Sequence, residues 1–240
     1  MSNVKITYAG PKSEKISTQA DIVFCVDSTG SMEPCIEGVK NGIATLVEGL
    51  KTSAEVDFRL RLIAYRDRHD ARCGTPWDIY PFTSSADLFR SQVECIKADG
   101  GGDAPESTLD ALFIALRSEW RTSGTHKTIV LLTDADTHPT LHPSTYKLPD
   151  NGVHRIIQEF QTLRHAMLFM VAPRYPTYLQ IERSIKDADR QVIANYQPVA
   201  TTIEEAERLK GLKNVAWEPL MNMIGKTVSV TSVAVAHANG

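Results

Sequence analysis

Asp21-Ile22-Val23-Phe24-Cys25-Val26-Asp27-Ser28-Thr29-Gly30-Ser31-Met32 decides the fold of this chain. The run through Val26 is apolar and short, the pattern of a buried strand. Met32 to Lys51 reads as a helix. Asp27, Thr29 and Ser31 therefore fall on the turn between them, spaced i, i+2, i+4. Open α/β sheets bind their ligands at turns of this kind, beyond the carboxyl ends of the strands. A carboxylate and two hydroxyls on one tight loop suit a hard divalent cation better than they suit a nucleophile.

Working outward, apolar runs alternate with helical patterns along the chain. That alternation predicts an α/β fold: a doubly wound, mostly parallel six-stranded sheet with helices on both faces. The expected strands are 21–27, 56–65, 77–82, 127–133, 166–172 and 190–195, and the expected helices 31–51, 85–97, 106–121, 151–164, 175–188 and 202–223. No helix separates the second and third strands, so the third is expected to pair antiparallel at an edge. The expected division is an extension over 1–19, one domain over 20–224, and a strand or tail over 225–240, where Val228, Val230, Val233 and Val235 alternate.

With 240 residues, 42% hydrophobic and 23% charged, the chain can bury the core of one large domain. A net charge of −3 and a pI of about 6.2 exclude a nucleic-acid footprint. No apolar run approaches the roughly 20 residues that span a bilayer. Met1 to Ala20 is polar and mixed in charge, unlike a secretory leader. A cytoplasmic location is the expectation. Of the four cysteines, Cys25 packs as a small hydrophobe within the first strand, and none is spaced C-x-x-C. A Cys73–Cys95 disulfide needs an oxidising compartment, so free thiols are expected.

Two later loops add chemistry. Ala98-Asp99-Gly100-Gly101-Gly102-Asp103-Ala104-Pro105-Glu106 precedes a helix, with Pro105 suited to its first turn. Thr133-Asp134-Ala135-Asp136-Thr137-His138 opens a long connection to Asn151. Central strand ends converge in such a sheet, so all three loops can reach one cation. Their hydroxyls and carboxylates, with one position left to solvent, make an oxygen site for Mg²⁺ or Mn²⁺.

Together these loops resemble a von Willebrand factor type A domain over about residues 20 to 200. Asp27-x-Thr29-x-Ser31 is similar to that family's metal-ion-dependent adhesion site. Asp103-Ala104-Pro105-Glu106 and Thr133-Asp134-Ala135-Asp136-Thr137-His138 resemble the integrin β-subunit version. The resemblance implies that Thr29 and Ser31 ligate the metal through hydroxyls. Asp27 and Asp134 ligate it or hold its waters. Glu106 completes the site, in the place where most members use a threonine; Thr108 is the alternative ligand. It also implies a second cation, Ca²⁺, held by Asp67, Asp103, Glu106 and the Pro105 carbonyl.

The same residues admit plainer roles. Asp27 can be an N-cap, with Thr29 and Ser31 satisfying turn amides. The acids at Asp103 and Glu106 can complement a helix dipole. Asp67, among Arg66, Arg68 and His69, reads as a solvated ion pair, and Asp136 as a surface residue. His138 and His142 have i, i+4 spacing, but the intervening prolines argue against a helix presenting them to zinc. The expected function is a cation-dependent binding module that accepts an Asp or Glu of a protein partner, an intracellular assembly or signalling component and not an enzyme. The alternatives are a metal-dependent phosphohydrolase, disfavoured because Thr29 stands where an acid/base aspartate would, and a structural domain with a degenerate site. The sequence suggests no membrane partner.

Overall fold

β1 (Thr18–Asp27) lies inside a six-stranded sheet of order β3-β2-β1-β4-β5-β6. The structure, a computed structural model, describes residues 18–52, 56–70, 77–101, 104–122, 124–147, 151–185, 190–197, 212 and 215–239. β1 runs parallel to β2 (Val56–Tyr65) on one side and β4 (Thr125–Leu132) on the other. β5 (Ala166–Pro173) and β6 (Arg190–Gln197) continue the parallel array. β3 (Trp77–Ile79) pairs antiparallel to β2 at the edge, as expected.

Successive side chains of a strand point to opposite faces, so β1 feeds two cores. Ile22, Phe24 and Val26 pack on one side against α1 (Ile36–Thr52), α2 (Ala86–Glu94) and α6 (Trp217–Asn239). Val23 and Cys25 pack on the other against α3 (Thr108–Leu116), α4 (Gly152–Thr162) and α5 (Pro176–Ser184). Burial on both faces explains why β1 is an unbroken apolar run. The one charge near its start, Asp21, is fully buried and clamped by Arg59 (2.6 Å) and Arg121 (2.8 Å).

Expectations change at the ends of several elements, and the helix expected over 106–121 is corrected to Thr108–Leu116, which leaves Pro105 and Glu106 ahead of it and not in its first turn. The helix expected from residue 31 begins instead with a 3₁₀ turn, Gly30–Met32, and becomes α-helical only at Ile36. β3 stops at Ile79. The strand or tail expected over 225–240 is corrected to helix: α6 runs through Asn239. Its buried residues Met221, Ile224, Val228, Ser232 and Ala236 recur at helical spacing, and that period outweighs the local alternation of valines. The expected helix over 202–223 lies mostly outside the described residues. So does the extension up to residue 17, and so does Cys73; Cys25, Cys35 and Cys95 are free. No helix among the described residues is long and apolar enough to cross a membrane.

α6 sits close on α1 because α1 is notched. A Cβ on Gly38 would stand 2.5 Å from Trp217 Cδ1, and one on Gly42 would stand 3.0 Å from Met221 Cγ. Gly49, in the same helix, has nothing within 4 Å of that position. Gly38→Ala should therefore lower the melting temperature and red-shift Trp217 emission. Gly49→Ala should raise stability by about 0.5–1 kcal/mol, the helix-propensity difference alone. Equal shifts in urea melts of the two variants would contradict this packing.

His126 of β4 is buried, and neither ring nitrogen has a hydrogen-bond partner. Burial, reinforced by the positive charges of His165 and Lys127, lowers its pKa from 6.5 to about 4. Below 6.5 the unfolded chain takes up a proton that the folded chain refuses, so this contribution is complete above pH 6.5 and lost as pH falls towards 4. In urea titrations across that window, His126→Phe should lose less stability than the parent chain.

Candidate metal centre

The end of β1 is built around one carboxylate. Asp27 has no solvent exposure. Its Oδ1 accepts hydrogen bonds from Thr29 N (3.0 Å) and Thr29 Oγ1 (2.7 Å), and its Oδ2 accepts one from Thr133 Oγ1 (2.7 Å). Thr29 Oγ1 lies 3.2 Å from Ser31 Oγ, which donates to Asp134 Oδ1 at 2.8 Å. A continuous chain of oxygens thus crosses from the loop after β1 to the loop after β4. The first loop is held from beneath: Ser28 N and Oγ both donate to the Tyr65 carbonyl, at 2.8 and 3.0 Å. It is held from the side by Gly30 N donating to Gly100 O (2.8 Å) and Asp99 N donating to Ser28 O (3.0 Å).

These bonds press the glycine loop onto Thr29. Gly101 has φ +71°, and a Cβ there would lie 2.8 Å from Thr29 Cβ and 3.0 Å from Glu106 Oε1. Thr29 and buried Glu106 therefore flank the same glycine, and only glycine leaves room for both. Glu106 is fixed by its backbone: its N donates to Asp136 O (2.9 Å), and its carbonyl accepts from His138 N (3.0 Å). Thr108, also buried, lies hydroxyl to hydroxyl with Tyr65 at 3.0 Å. Asp103 lies outside the described residues.

The electrostatics of the oxygen cluster are set first by burial. Burial pushes the Asp27 carboxyl up to about 6; the Thr29 hydrogen bonds oppose this and the Asp134 charge adds to it. Burial also raises Asp134, against its bond from Ser31. A buried carboxylate and a half-buried one, joined by two hydroxyls, form a hard, anionic donor set that suits Mg²⁺ or Mn²⁺. Among the described residues no three His, Cys, Asp or Glu side chains converge as a metal group on their own. Thr29 and Ser31 supply the hydroxyls that link the two carboxylates.

The expectation of a solvated Asp67 is corrected. Asp67 is buried, and its Oδ1 accepts from His69 N (3.0 Å) and Ser107 Oγ (3.1 Å) and meets His138 Nε2 at 2.9 Å. Its neighbours Arg66 and Arg68 turn away, Arg66 to the carbonyls of Lys97 and Asp99 and Arg68 to Ser144 and Thr145. Asp67 and Pro105 do share a surface cavity of about 260 Å³, with His69, Asp70, Ala104 and His138. Asp136 is half-buried and not a free surface residue; it accepts from Thr137 N (2.8 Å) and Thr177 Oγ1 (3.3 Å). His138 and His142 are on no helix, and both rings pack against His69 at 4.0 and 4.9 Å.

The sequence reading missed Thr133, Gly101 and Tyr65 as parts of this site. Thr133 stood in a quoted segment, but only the fold shows that it faces Asp27 Oδ2 and not solvent.

A family profile described as the von Willebrand factor A domain matches residues 21–202. The chain belongs to that family. As a VWA domain it shares the architecture of several solved structures, at identities low enough that the likeness concerns fold alone. BatB, a conserved hypothetical protein from Bacteroides thetaiotaomicron, superposes with TM-score 0.57 at 12% identity, covering 89% of this chain and 98% of that one. The SpRpn10 VWA domain gives 0.50 at 11%, covering 83% and 99%. The D319A mutant of the PilB minor pilin from Streptococcus sanguinis gives 0.59 at 11%, covering 97% and 65%. In sequence, the chain is 33% identical over 144 residues to the alpha-protein kinase vwkA of Dictyostelium discoideum. That match covers 59% of this chain and 22% of the relative, so the chain spans about a fifth of that protein's length.

Gly101→Ala tests the cradle. It imposes a Cβ at positive φ against Thr29 and Glu106, so under the cation-binding reading proposed below it should weaken Mg²⁺ binding by about tenfold or more, a loss of about 1.4 kcal/mol in calorimetry. Undiminished Mg²⁺ affinity would show that Thr29 and Glu106 do not act together.

Proposed function

We propose that this VWA domain is a divalent-cation-dependent protein-binding module. VWA domains commonly mediate protein–protein interactions. In this reading Asp27, Thr29, Ser31, Glu106 and Asp134 form a metal-ion-dependent adhesion site of the integrin β kind for Mg²⁺ or Mn²⁺. The observation that supports it most is the oxygen chain from Thr29 through Ser31 to Asp134, which joins two strand-end loops around short, hard donors. The bound cation would supply an electrophilic open position for the carboxylate of a partner's Asp or Glu. The chain's own residues do the rest. Asp27 is oriented by Thr29 and Thr133, Asp134 is oriented by Ser31, and Gly101 leaves room for Glu106 beside Thr29.

The proposal keeps to one cation. Of the expected second set, Asp103 lies outside the described residues, and Asp67 Oδ1 is already engaged by His69 N, Ser107 Oγ and His138 Nε2. It assigns no catalysis, since Thr29 stands two residues after Asp27 where an acid/base aspartate would be needed. The similarity to part of an alpha-protein kinase supports a role as an assembly or signalling component.

A second reading has its own observation. The hydroxyls of Thr29 and Ser31 donate to Asp27 and Asp134, bonds that themselves tie the two loops together, as they would in a purely structural site. Calorimetry with Mg²⁺ separates the two: a saturable heat is expected. Asp27→Ala should abolish that heat, together with the chelator-sensitive retention of a partner protein in a pull-down, while circular dichroism stays that of the parent. Partner retention unchanged in Asp27→Ala would refute the binding-module reading.

A further inference from the structure

Two side chains compete for the last protein position of the proposed centre. Glu106 and Thr108 are two residues apart, both buried, at the start of α3. Their surroundings differ. Glu106 Oε1 reaches the glycine that Thr29 also flanks. The Thr108 hydroxyl instead lies 3.0 Å from the hydroxyl of Tyr65.

Tyr65 is well placed to hold it there. It is the last residue of β2, fully buried, with its ring against Trp77 at 6.0 Å between centroids. Its carbonyl accepts both bonds from Ser28, so its backbone supports the first metal loop while its side chain reaches α3. Tyr178, equally buried, closes the same layer by donating to the Ala135 carbonyl at 2.8 Å. A threonine hydroxyl has one proton and a χ1 with few allowed wells, so a bond to a fixed phenol selects one rotamer and one lone-pair direction.

We propose that Tyr65 is a positioning residue that holds Thr108 away from the cation and thereby makes Glu106 the ligand that completes the site. The inference rests on the cation-binding reading above. Its consequence is chemical: a third carboxylate in place of a hydroxyl reduces the positive charge that a partner's acid meets. Removing the Tyr65 hydroxyl takes away one of the two phenols that Thr108 meets, the other being Tyr178, and loosens Thr108 to compete with Glu106.

The test is a mutant cycle read by Mg²⁺ calorimetry on the full chain, with thermal melts in chelator to report the fold. In the Tyr65 background, Thr108→Ala should change the Mg²⁺ dissociation constant by less than about twofold, and Glu106→Gln should raise it about tenfold or more. In the Tyr65→Phe background, Thr108→Ala should now raise it about fivefold or more. A merely structural role for Tyr65 would lower the chelator melting temperature and leave the cycle additive, and that overturns the inference. So does a Thr108→Ala loss as large as that of Glu106→Gln in the Tyr65 background, a comparison that stands even if Tyr65→Phe fails to fold. No Mg²⁺ heat in the parent chain overturns the binding-module reading and this inference together, whereas Mg²⁺ heat that depends on Thr108 overturns this inference alone.

Discussion

Asp27 is a carboxylate with no access to water, and the architecture around it follows from that constraint. It is unexposed because β1 lies inside the sheet, with a core on each face, so the residue that ends the strand is enclosed by its neighbours. A buried charge must be hydrogen-bonded or paired. Asp27 meets this with a hydroxyl and an amide from its own loop and a hydroxyl from the end of β4. The acceptor that orders the first loop therefore also ties it to a second strand. The glycines at 100 and 101 complete the same logic, since a loop drawn this close to Thr29 has no room for a side chain at Gly101.

The two cores give the site two different supports. On one side Met32 and Ile36 carry the first loop into α1, and α1 carries it to α6 through the notch at Gly38 and Gly42. On the other side Tyr65, Leu109 and Tyr178 pack with α3, α4 and α5, and they position Glu106, Thr108 and the loop after β4. The first loop belongs to both layers: Ser28 bonds to β2, and Thr29 meets the donors above α3.

Much of this was legible in the sequence because the fold is repetitive. Six apolar runs alternating with helical patterns fix a parallel sheet, and the missing helix between residues 65 and 77 fixes the antiparallel edge. Asp27, Thr29, Ser31 and Asp134 were placed on strand-end loops because ligands gather there in such sheets, and the fold joins them in one hydrogen-bonded chain; Glu106 was named from the family resemblance, and cation binding by the set is the proposal. Other features were hidden for physical reasons. In the last helix, the valine alternation concealed a buried face spaced at three and four residues, visible only with Met221 and Ile224 included. Asp67, flanked by two arginines, looked solvated because charge composition says nothing about direction. The arginines turn outward and leave its Oδ1 to Ser107 and His138. The Tyr65–Thr108 bond spans 43 residues, and no local pattern encodes it.

The character of the proposed centre depends on its count of charges. Asp27 and Asp134 alone would neutralise a dication, and Glu106 adds a third negative charge. In the proposed reading the assembled site would attract a partner's acid through the open coordination position and not through a net positive field. Such an attraction acts at contact distance, inside the Debye length of about 8 Å at physiological salt, and contributes little to long-range steering. With the hydroxyl of Thr108 in place of the Glu106 carboxylate, the same loops would carry no net negative charge and would draw anions more strongly. The choice between these two donors, set in the buried layer beneath the loops, is therefore also a choice about how selectively the surface above them recognises a carboxylate.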